Sequence, residues 1–121
     1  MRGQAIVAPG GRFLRFEFEP KATVADWKEA RTLLMEMVQK TGIRNVLVDL
    51  SRQKASGAWH ELFSFGVEVP DGMAFAVLAD LGREDYQFVE TVALNRGKAV
   101  RLFAASEEPA AVAWLEAQAK P

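Results

Sequence analysis

Residues Asn45 to Leu50 read NVLVDL. Val46, Leu47, Val48 and Leu50 leave no face of this run for water. Such a run suits a strand covered on both sides, as in a parallel sheet. Asp49 interrupts it close to the carboxyl end.

The flanks agree with a strand–helix alternation. Upstream, Thr23 is placed as a helix N-cap, with Asp26 where a capping-box acid sits. Val24, Trp27, Ala30, Leu34, Met37 and Val38 recur at helical spacing, which predicts a helix over about Val24 to Lys40. Gly42 follows as its C′ residue. Further upstream, Leu14, Phe16 and Phe18 alternate with Arg15, Glu17 and Glu19. That period of two predicts a half-buried strand with one wet face. Pro9-Gly10-Gly11 turns the chain before it, after a short apolar run over Gln4 to Ala8.

Downstream, the linker SRQKAS leads to an apolar stripe of Trp59, Leu62, Phe63 and Val67, which predicts a second helix from about Gly57. Pro70-Asp71-Gly72 ends that segment. MAFAVLA, from Met73 to Ala79, is the next buried strand. Phe88, Val89, Val92 and Ala93 predict a third helix, ended at Asn95-Arg96-Gly97. AVRLFA, from Ala99 to Ala104, is the last strand. Ser106 is placed as the cap of a final helix carrying Val112, Trp114 and Leu115. Glu107 and Glu108 stand in its first turn, where the helix dipole favours acids.

The pattern is α/β: four β-α units with a mostly parallel, mixed-edge sheet, the first two strands forming an antiparallel edge. The chain has 121 residues, enough for one core, and reads as a single domain over 1–121. Lys plus Arg is 15 against 16 for Asp plus Glu, and the basic residues form no stripe, so nucleic acid is not an expected partner. The absence of cysteine excludes disulfides, thiolate metal sites and thiol catalysis. The first residues, MRGQAIVAPGGRF, hold no apolar segment of a signal peptide, and no apolar run reaches the ~20 residues of a membrane span.

Several parts of this sequence resemble the SpoIIAA-like, or STAS-like (STAS/Sec14-like), family. They are NVLVDL after a long amphipathic helix, AVLAD from Ala76 to Asp80, and FVETVALNRGKAVRLFAASEEPAAVAWL from Phe88 to Leu115. The resemblance covers nearly the whole chain. It implies a STAS-like fold in a small cytoplasmic domain. It further implies a non-enzymatic signalling role through a protein partner, as in anti-sigma-factor antagonists, with no cofactor. The Sec14-like side implies the alternative of a carrier or sensor for a small apolar ligand or lipid. True antagonists are switched by phosphorylation of a serine in an Asp-Ser-Ser-Gly-like context at the start of the second helix. The matching place is Ala55-Ser56-Gly57, where Lys54-Ala55 replaces the preceding Asp-Ser.

Ser56 is therefore the candidate phosphoacceptor. A phosphate there would meet a helix N-terminus, with Arg52 and Lys54 nearby. The plainer role is an N-cap, worth about 1 kcal/mol. Trp59, His60, Phe63 and Phe65 are the candidate partner or ligand surface, or a second copy's docking face in a homodimer. Trp59 and Phe63 also suit a core stripe at i, i+4, while Phe65 lies off it. His60 is the only histidine, so it cannot build a His-based metal cage. Asp49 and Asp80 fall at the carboxyl ends of parallel strands, the edge where ligands of open α/β sheets gather. VLVDL resembles a response-regulator phosphoacceptor strand, but the acidic pair and the lysine that such a site needs are missing. The simpler role for both aspartates is to cap the loops that follow.

Overall fold

The computed structural model describes residues 3–18, 24–51, 72–78 and 99–119. β1 (Gly3–Val7) and β2 (Leu14–Phe18) form an antiparallel hairpin. Helix α1 (Val24–Thr41) follows, then β3 (Asn45–Asp49), β4 (Ala74–Leu78), β5 (Ala99–Phe103) and helix α2 (Glu108–Ala119). β2, β3, β4 and β5 pair in parallel, and the strand order is β1-β2-β3-β4-β5. The predicted mixed sheet with an antiparallel edge is present. The predicted second and third helices lie outside the described residues, as does the Thr23 cap.

The turns follow from backbone chemistry. Gly10 and Gly11 have φ of 79° and 68°, a region that only glycine enters cheaply. Ala8 N–H donates to Phe13 C=O at 2.9 Å and closes the turn between β1 and β2. Gly42, at φ 73°, donates its N–H to Val38 C=O at 2.8 Å, so α1 ends with the expected left-handed cap.

The sheet's two faces carry separate apolar clusters. On the first, Leu14–Val46–Phe75–Val100 and Phe16–Val48–Val77–Leu102 run as rows across four strands, and Ala30 and Leu34 of α1 pack on them. On the second, Leu47, Ala74, Ala76, Leu78 and Phe103 meet Ala111 and Leu115 of α2. Two of the β4 residues under α2 are alanines, and Ala76 and Ala111 are fully buried, so helix and sheet approach closely. Burial of Leu47 between Val46 and Val48 shows both sides of β3 covered, as its continuous apolar run requires.

The start of α2 differs from expectation. Ser106 is exposed within a 3-10 turn, Ala105–Glu107, and the helix begins at Glu108. The Glu107 carboxylate performs the bonding instead, accepting the Ala104 N–H at 2.9 Å. Among the described residues, no helix is long and apolar enough to cross a membrane.

Candidate functional site

Because Leu14, Phe16 and Phe18 face the α1 side, Arg15 and Glu17 must emerge on the α2 side. The register then sets a row Gln4–Glu17–Asp49–Leu78–Phe103 toward the carboxyl ends of the parallel strands. The row is polar over three strands and apolar over the last two. The chain leaving β5 turns at this edge and starts α2 there, which brings Glu108 above the polar part.

Arg15 is the centre of this cluster. Its Nε donates to Glu17 Oε1 at 2.7 Å, its Nη1 pairs with Glu108 Oε1 at 2.6 Å, and its Nη2 reaches Asp49 Oδ2 at 3.4 Å. Each nitrogen of the guanidinium thus meets a different carboxylate. The second oxygens of Glu17 and Asp49 are also engaged. Glu17 Oε2 accepts from Gln4 Nε2 at 2.8 Å, and Asp49 Oδ1 accepts the Ser51 N–H at 2.9 Å and the Ser51 hydroxyl at 2.5 Å. The Asp49–Ser51 bonds also shape the chain leaving β3.

The Arg15 side chain is only 19% exposed. Burial on its own would lower the arginine's pKa, but hydrogen bonds to Glu17 and Glu108 and their negative charge outweigh it, so the pKa is raised. The wet face predicted for β2 is therefore covered at its centre: α2 lies close enough for Glu108 to reach Arg15.

A second ion pair, between Arg12 and Glu116, lies further along α2. Eight helical residues separate Glu108 from Glu116, a rise of about 12 Å. Glu108, Ala111, Leu115 and Glu116 lie toward the sheet side of the helix, and α2 is tied once to β2, through Arg15, and once to the turn before it, through Arg12, while its apolar stripe covers β3, β4 and β5. At the far edge of the sheet Phe103 meets Trp114, ring centroids 6.2 Å apart, with Arg101 5.5 Å above the Phe103 ring.

Of the residues singled out in the sequence, Asp49 belongs to this network. Ser56, Trp59, His60, Phe63, Phe65 and Asp80 lie outside the described residues. Arg15, Glu17 and Glu108 were legible only as alternation and as a helix-start acid, not as partners. Among the described residues, no group of three or more His, Cys, Asp or Glu side chains is arranged to hold a metal ion. Glu17, Asp49 and Glu108 converge on a guanidinium instead. The described sheet also runs in sequence order without reversal, so it has no topological switch point of the kind that opens a ligand crevice in doubly wound sheets. No protein-family model and no curated protein matches this chain.

Proposed function

We propose that this chain is a non-enzymatic, STAS-like binding domain that acts through contact with a protein partner. The observation that carries this reading is the engagement of Asp49. Its carboxylate sits where an α/β sheet would place a phosphoacceptor or metal ligand, yet its oxygens are held by Arg15 and Ser51. A cation or a phosphoryl group would have to displace a half-buried arginine. The sequential strand order and the hairpin edge also suit the resemblance seen in the sequence. The contact surface in this reading is the segment from Ser56 to Val69, with Ser56 as its regulatory position.

The test is chemical and direct. Incubation with Mg²⁺ and a small phosphoryl donor is expected to leave the intact mass and thermal stability unchanged. A covalent phosphoryl adduct on Asp49 would overturn the reading. For a partner identified by cross-linking, Trp59→Ala and Phe65→Ala are expected to weaken binding by about ten-fold or more, as interface aromatics do. An apolar ligand that repeatedly co-purifies in native mass spectrometry would instead favour the carrier.

A further inference from the structure

The two edges of the described sheet are built differently. β5 carries a charge at its centre, the exposed Arg101, and α2 packs beside it. β1 reads GQAIV and has no charge, no proline and no bulge in its five-residue ladder with β2. These are the devices that natural edge strands use against pairing. Ile6 and Val7 are each 43% exposed, the only exposed large hydrophobics among the described residues, and they point to opposite faces of this strand. Beyond its ladder with β2, β1 makes no backbone hydrogen bond among the described residues.

The geometry points to β1 as a self-association edge, pairing antiparallel with β1 of a second copy about a two-fold axis at Ala5. A second copy fits because antiparallel pairing of one strand with itself is isologous and closes after two chains. The charges agree with this direction. Within the chain Gln4 stands opposite Glu17 and Ile6 opposite Arg15. The two-fold places Gln4 against the second copy's Ile6, so the two rows that carry charge have Glu17 at one end and Arg15 at the other. In-register parallel pairing would put like charges at both ends of these two rows. The five-residue strands overlap along their full length, and the apolar end of each meets the small-residue end of the other. This inference is independent of the partner surface proposed above.

The chain has no cysteine, so a single introduced thiol reports the register without background. Ala8 N–H bonds Phe13 C=O, so by alternation Ala5 turns its own N–H and C=O outward. In the paired edge the two Ala5 residues then form a hydrogen-bonded pair, Cβ atoms roughly 5.5 Å apart, too wide for an unstrained disulfide but within the span of a short bis-maleimide. Ala5→Cys is expected to be cross-linked between chains by that reagent, while Ala113→Cys, at an exposed position of α2, stays unlinked. Sedimentation of the unmodified chain is expected to show a monomer–dimer equilibrium. Val7→Lys should shift it roughly ten-fold toward monomer with unchanged circular dichroism. A chain that stays monomeric up to about 1 mM, or a dimer that Ala5→Cys fails to cross-link, overturns the inference.

Discussion

The two faces of the sheet are held by different forces. Under α1, two four-strand rows of side chains are apolar from β2 to β5. Under α2, the apolar cluster runs over β3, β4 and β5 and takes in Phe13 and Ala8 at the hairpin turn, while within β2 itself Arg15 bridges to Glu17, Asp49 and Glu108. The first face stabilises without direction, because burial of apolar area has no preferred orientation. The second face adds direction, because a guanidinium bonds only along its N–H vectors. α1 meets the described sheet through Ala30 and Leu34, whereas α2 meets it through Ala111 and Leu115 and is then aligned by charge.

Three substitutions probe this contrast. Phe75→Ala removes the largest fully buried side chain of the α1 face, and chemical denaturation should show a loss of about 3–5 kcal/mol. If it costs no more than a surface change, the α1 face is not the main core. Arg15→Met keeps much of the side-chain volume but leaves Glu17, Asp49 and Glu108 facing one another. A smaller loss of about 1–3 kcal/mol is expected, eased by Glu108's partial exposure. Arg15→Met as stable as the parent would show that α2 is held by Ala111 and Leu115 alone. Arg12→Ala breaks a pair whose side chains are 55% and 40% exposed, so its effect should stay within about 0.5 kcal/mol and fade further in high salt.

The pH dependence separates the faces again. Arg15's pKa is raised on folding, so its contribution is complete below the unfolded value and is lost only as pH climbs through the folded one. Thermal melts between about pH 7 and about pH 10 should therefore show no loss traceable to Arg15. A fall within that range that disappears in Arg15→Met would contradict the network's geometry.

Much of the fold was legible because its signals are local. Alternation at Leu14, Phe16 and Phe18, the unbroken run at Val46 to Val48, and Gly42 after a helical stripe each express a period or a cap within a few residues. Among the described residues, the strands and the first helix followed to within a residue or two. The start of α2 did not, because a 3-10 turn over Ala105–Glu107 takes up Ser106 and the first-turn acid Glu107 before the helix begins. The network at Arg15 was not legible for a different reason. Its members come from β2, β3 and α2, and in sequence any arginine could serve any of the acids.

What neighbouring residues specify in this protein is therefore the kind of each element and the face it buries, since both depend on a repeat of two or 3.6 residues. What folding adds is the pairing of distant charges. Arg12 and Glu116 are 104 residues apart, and Arg15 meets Glu108 only because α2 runs antiparallel to β2 across the sheet. Asp49 shows both sides of this division. The unbroken apolar run around it placed it at a strand's carboxyl end, but only the packed sheet, by laying Arg15 beside it in the adjacent strand, made its carboxylate part of a clamp.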